Sequence, residues 1–190
     1  MAHLTIKEKS AKAYEVLKPK FGYKNIMASP RLMKVVISSG TGGAMKRDAK
    51  RNDLVADRLA KITGQKPSLK GAKQSIASFK IRQGDPVGIT TTLRGPRMYG
   101  FLEKFFNISV PRIKDFRGFN SSSVDSIGNI TLGLKEHVIF PETADEDIKD
   151  VFGLAVTIVS SAKTKEEGIA FFEYLGVPFK KEEETAKKKR

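Results

Sequence analysis

The sequence predicts an α+β fold: a largely antiparallel sheet with helices packed on one face and the other face open. Three observations lead there. Helical spacing recurs over 4–21, 48–63, 96–108 and 164–175. Residues alternate with period two near 33–38, 87–94 and 130–134, and 154–162 reads as a further strand. A dense cluster of turn-formers, Gly84, Asp85, Pro86 and Gly88, joins neighbouring strands locally, which favours antiparallel pairing.

The elements follow in order. Leu4, Ala11, Tyr14, Leu17 and Phe21 predict the inner side of a first helix, stopped by Gly22. Met33, Val35 and Ile37 alternate with Lys34, Val36 and Ser38 as a strand. A second helix over 48–63 turns Val55, Leu59 and Ile62 inward and ends at Gly64. A protruding hairpin at about 75–95 is expected, with "SIASFKI" rising, "RQGDPVG" turning and "ITTTLRG" returning. Its returning strand puts Val87, Ile89, Thr91 and Leu93 on one face and Thr90, Thr92 and Arg94 on the other. Pro96 opens a third helix with Met98, Phe101, Leu102 and Phe105 as a core stripe, to which Phe106 and Ile108 add. A long Ser- and Gly-rich loop is expected at about 109–130. Ile130, Leu132 and Leu134 make a strand, and "LAVTIVSSA" makes another. Thr164 and Glu167 form a capping box for a last helix facing inward through Ile169, Phe172 and Leu175. Residues 1–180 read as a single domain and 181–190 as a disordered basic tail.

Composition narrows the function. The chain has 190 residues, 35 basic against 21 acidic, and a net charge of +14. Such a surplus attracts polyanions: nucleic acid first, an anionic membrane surface second. No cysteine is present, which removes disulfides, cysteine zinc sites and cysteine nucleophiles. The opening "MAHLTIKEKSAKAY" is too polar for a secretory signal, and the longest apolar stretch, 151–159, falls far short of the roughly 20 residues a membrane span needs. A soluble, cytoplasmic protein is expected.

"SSGTGGAMKR", Ser38 to Arg47, is shaped like a phosphate loop after a strand. A nucleotide-binding loop needs G-x-x-x-x-G-K-[ST], yet Met45 stands at the second glycine and Arg47 at the magnesium-binding hydroxyl. The dinucleotide fingerprint fails at the same Met45. His3 and His137 have no partner at metal-ligand spacing, and His137, beside Glu136, reads as a structural or surface strand residue. Glu142, Asp145, Glu146, Asp147 and Asp150 read as a solvated helix start or a protein-contact face rather than a cation site. No nucleophile elbow is present. No enzyme, cofactor or small-molecule substrate is expected.

RNA fits better. From Lys66 to Arg97, seven cations face one acid, Asp85. A hairpin tip reading "KIRQG" would carry cations away from the body of the protein. Base-stacking modules need several exposed aromatics, and only Phe79 is at hand. Ser38, Thr90 and Thr92 on an open strand face suit folded RNA backbone and its 2′-hydroxyls, with Gly40 to Gly43 letting the main chain approach phosphates.

"GQKPSLKGAKQSIASFKIRQGDPVG", "TLRGPRMYGFLEKF", "VPRIKDFRGF", "GNITLGLKEHVIFPE" and "AKTKEEGIAFFEYLGVPF" together resemble the bacterial-type ribosomal protein L5 family, in order from about residue 4 to 180. The resemblance implies a structural constituent of the large ribosomal subunit that binds 5S ribosomal RNA in the central protuberance. It also implies contact with large-subunit ribosomal RNA, P-site transfer RNA, other central-protuberance proteins and a small-subunit head protein, number thirteen in bacteria. Lys34, Ser38, Ser39, Gly40, Gln65, Lys66, Thr90, Thr92 and Arg94 are then expected on the 5S surface. Lys80, Ile81, Arg82, Gln83 and Gly84 are expected to face transfer RNA, and Pro111, Arg112, Asp115, Arg117 and Glu142 the small subunit. Two departures stand out: Ser38-Ser39-Gly40 replaces the usual Asn-Met-Gly, and Ile127 in "VDSIGN" replaces a cation. The alternative is a free-standing basic RNA-binding or RNA-chaperone protein.

Overall fold

The computed structural model describes residues 4–42, 51–144 and 151–180. Among these residues four helices cover one face of a five-stranded sheet, α1 (Ile6–Phe21), α2 (Arg51–Thr63), α3 (Gly95–Lys104) and α4 (Lys165–Leu175). The strands are β1 (Leu32–Gly40), β2 (Ser68–Gly71), β3 (Pro86–Leu93), β4 (Ile130–Leu134) and β5 (Leu154–Ser160). Their order is β2-β3-β1-β5-β4, and every pairing is antiparallel. The expected α+β class is thus borne out. The tail 181–190 lies outside the described residues, as do His3 and 43–50.

Alternation within the strands builds the core. Val35 and Ile37, Ile89 and Leu93, Ile130 and Leu132, and Leu154, Val156 and Ile158 all turn toward the helices and are buried. The α3 stripe Met98, Phe101, Leu102 and Phe105 meets them, as the spacing predicts, and Phe101, Phe105 and Phe140 stack with ring centroids about 6 Å apart. Burying each such side chain contributes about 1.5–3 kcal/mol.

Past Lys104 the helix widens into a π turn over Phe105–Ser109, where the Val110 N–H reaches back to the Phe105 carbonyl. Pro111 explains the wide turn. It has no N–H to offer Asn107, and its ring would crowd that carbonyl in a regular helix.

Several expectations are corrected. In α1 the buried residues are Ile6, Ala13 and Leu17, while Ala11 and Leu4 are exposed, so the inner face is rotated from the predicted one. A register shift between Leu32 and Lys34 turns Met33 outward and buries Leu32 in its place. "SIASFKI" is not a strand: β3 pairs with β2, and 77–79 form a 3-10 turn. In α4 the inner positions are Gly168, Phe171, Phe172 and Leu175, with Ile169 half-buried. Thr164 accepts from the Glu167 N–H as a cap should, but the Glu167 carboxylate accepts from Lys163 N and from the Tyr23 hydroxyl rather than closing the box. The loop after α3 is pinned to the C-terminal strand-like segment by Phe119 N to Pro178 O and Lys180 N to Phe119 O.

His137 lies in a 3-10 turn, not on a strand, and is fully buried. Its ring stacks on Phe152 at 4.1 Å and its Nδ1 accepts from the Phe152 N–H. The structural reading of this residue is the right one.

Candidate nucleic-acid interface

Strand register assembles the outer face of the sheet. Ser68, Thr90, Ser38, Ala155 and Gly133 lie side by side across all five strands. The next row is Thr92, Val36, Thr157 and Thr131, with the last two hydroxyls 3.1 Å apart. Lys70, Gly88 and Gly40 form a row at one end, and Lys34 beside Val159 one at the other. Of these fourteen positions six end in a hydroxyl, three are glycines and two are lysines. A Cβ at Gly40 or Gly133 would meet nothing within 4 Å.

None of these five strands carries an aspartate or glutamate; their only charges are Lys34 and Lys70. Exposed Lys66 and Arg94 extend the positive border. Small side chains let a sugar-phosphate chain lie close to the pleated surface, hydroxyls donate to phosphates and donate to or accept from 2′-hydroxyls, and bordering cations supply attraction.

The residues expected on this face divide. Lys34, Ser38, Gly40, Thr90 and Thr92 are brought together on it by register, and Lys66 and Arg94 are exposed just before β2 and just after β3. The Gln65 amide nitrogen donates to the Thr92 carbonyl at 3.2 Å, tying the link between α2 and β2 to β3. Ser39 is not on this face. One step along the strand from Ser38, it points to the helices, is buried, and its hydroxyl donates to Gly153 O at 2.8 Å. Gly43 and the rest of the glycine-rich stretch up to Arg47 lie outside the described residues.

The β2–β3 connection forms a stalk braced by backbone bonds. Ala72 N donates to Asp85 O and Gly84 N to Ala72 O at its base, and Gln83 N donates to the Ser75 hydroxyl. Ile76 and Ile81 exchange N–H to carbonyl bonds in both directions, which closes the tip. Lys80 sits at that tip with φ +52, whereas Arg82, Gln83 and Gly84 lie on the return beside Ala72–Ser75. The end of the loop is therefore 77–80, not 80–84. The Asp85 carboxylate accepts from the Arg82 backbone N–H. Among the described residues no ion pair occupies Lys73, Lys80 or the Arg82 guanidinium. Sequence reasoning missed the exposure of Ile76 at this tip, because it read the segment as a strand; Phe79, the one aromatic it counted as available, is exposed.

Pro111, Arg112, Asp115 and Arg117 are exposed together on the segment after α3, with Asp115 at φ +52. Glu142 pairs with Lys104, whose ammonium also donates to Ile62 O at 2.7 Å, so this carboxylate is committed to the α2–α3 junction. Asp145 to Asp150 lie outside the described residues. Ile127 is exposed on a turn in which the Asp125 carboxylate accepts from Ile127 N, Asn129 N and Asn129 Nδ2.

A five-stranded antiparallel sheet backed by helices, its strands free of acids, defines a protein of the α+β class. Comparison with known proteins gives the family. The pattern described as ribosomal protein L5 matches residues 25–82, and that described as the C-terminus of the same ribosomal family matches 86–179. The large ribosomal subunit protein uL5 of Halothermothrix orenii is 48% identical over 163 residues, 86% of this chain and 90% of that one. The uL5 of Thermus thermophilus is 48% identical over 174 residues, 90% of this chain and 95% of that one. That of a Thermoanaerobacter species is 49% identical, over 87% and 92%. The chain belongs to the ribosomal protein L5 family. This is a family of structural ribosomal proteins and not of enzymes, which decides against the nucleotide-using reading of Ser38 to Arg47.

Proposed function

We propose that this chain, a structural component of the large subunit of the cytoplasmic ribosome, holds 5S ribosomal RNA on the open face of its sheet. Lys34, Lys66, Lys70 and Arg94 supply the field; Ser38, Thr90, Thr92 and the bare backbone at Gly40 supply close contact. The stalk reaches P-site transfer RNA through Lys80 and Arg82. Pro111, Arg112, Asp115 and Arg117 face the small-subunit head protein. Other central-protuberance proteins and large-subunit RNA surround the rest. The observation that carries this reading is the absence of any carboxylate on five adjacent strands beneath a half-exposed layer of small and hydroxyl side chains. A surface meant for a protein of mixed charge has no need of that exclusion, whereas one carboxylate facing phosphates costs affinity by like-charge repulsion.

The test divides the labour. Lys34→Ala with Arg94→Ala should weaken binding to 5S RNA and leave transfer-RNA affinity of assembled subunits near its starting value. Lys80→Ala with Arg82→Ala should do the reverse. Equal loss of both activities in either pair would overturn the assignment.

A further inference from the structure

The stalk carries an apolar feature that a purely electrostatic contact leaves unexplained. Of the twelve phenylalanines, Phe79 is the one that stands among the exposed large hydrophobics, at 60% exposure. It makes no ring-ring or cation-π contact among the described residues. Ile76, 44% exposed, stands on the same tip. The Ile76–Ile81 bridge and the left-handed Lys80 fix the turn that presents the ring, so little freedom is lost when something lands on it.

We propose that Phe79 is a nucleobase-stacking site: the phenyl ring lies against one unstacked base of a folded RNA. The charge around the ring selects this occupant over an apolar protein surface. Lys73, Lys80 and Arg82 are exposed on the same stalk, and from Lys66 to Gly84 the chain has no acid at all. Every base presents a π face, so the contact tolerates sequence; a single ring captures a single base and does not make a single-strand track. Cations bring the phosphate backbone to the stalk, and the ring then fixes how far along it the RNA sits. The inference rests on the reading above, which makes transfer RNA the source of the base.

The experiment uses large subunits assembled with the full-length chain. It reads two quantities: transfer-RNA affinity by filter binding, and base-by-base reactivity of bound transfer RNA toward base-modifying reagents. Phe79→Ala should weaken affinity about 5- to 150-fold, the range of one base–aromatic stack. It should also expose one base that the original chain protects. Phe79→Trp should restore both, and Phe79→Leu, which keeps apolar bulk without a π face, should restore neither. Retained binding to 5S RNA reports that each variant is folded. If Phe79→Leu protects and binds as well as phenylalanine, or if Phe79→Ala changes nothing while Lys80→Ala with Arg82→Ala does, stacking is refuted and the transfer-RNA reading survives. If neither set of variants alters transfer-RNA binding, that reading falls first.

Discussion

If the open sheet face grips RNA by its backbone, affinity for 5S RNA must fall with salt by an amount the structure sets. Four cations border that face, Lys34, Lys66, Lys70 and Arg94. Each neutralised phosphate releases condensed counterions and adds about −0.7 to −0.9 to the slope of log affinity against log salt. Four contacts give a slope of about −2.8 to −3.6, so raising salt from about 50 to 200 mM should weaken binding roughly 50- to 150-fold. Titrating labelled 5S RNA by filter binding at a series of potassium concentrations measures the slope directly. Lys34→Ala and Arg94→Ala should each make it shallower by about one phosphate's worth, while Lys165→Ala, on the exposed first turn of α4, should leave it unchanged. Placing a carboxylate mid-face with Thr157→Glu should weaken binding at low salt more than at high salt, since screening hides the repulsion. A slope shallower than about −1, or equal slopes for all of these variants, would refute backbone recognition by this face.

Two further predictions concern the scaffold. Gly128 has φ +79, and a Cβ there would lie 2.6 Å from Ala162 Cβ and 3.0 Å from Thr164 O. Gly128→Ala should therefore cost about 2–5 kcal/mol in urea denaturation, from left-handed strain and overpacking together, while Gly133→Ala, which meets open space, should shift stability by less than about 0.5 kcal/mol. Burial first, and then the hydrogen bond to the Glu167 carboxylate, holds the Tyr23 phenol well above the usual tyrosine range; burial also raises Tyr174. The folded chain keeps these protons more tightly than the unfolded one. The resulting stability is complete below the unfolded tyrosine value of about 10 and is lost as pH rises from there through the folded values. Unfolding midpoints measured between about pH 8 and 11 should fall at the alkaline end, and Tyr23→Phe should flatten most of that fall; an unchanged profile would show that the phenol is not coupled to folding.

The amino-acid pattern alone determined the four helices, the strands β1, β3, β4 and β5, the helix-facing side of β3 and β4, the α3 stripe, and the cationic character of 66–97. These are local properties: side-chain period, turn chemistry and charge are written residue by residue. It also carried the family, since the motif blocks run nearly the full length of the chain. Only tertiary structure decided the rest. Ser38 and Ser39 look alike in sequence, yet the pleat that buries Val35 and Ile37 also buries Ser39, where its hydroxyl meets Gly153 O, and leaves Ser38 on the open face. The rotated inner face of α1 depends on where α3 and α4 lie. "SIASFKI" has the composition of a strand, but 86–93 pairs with 68–71, so the segment closes on itself through Ile76 and Ile81 and leaves Phe79 outside. Strand partners, register and the direction of a single side chain are fixed by contacts between residues far apart in the chain, and those contacts leave no local mark.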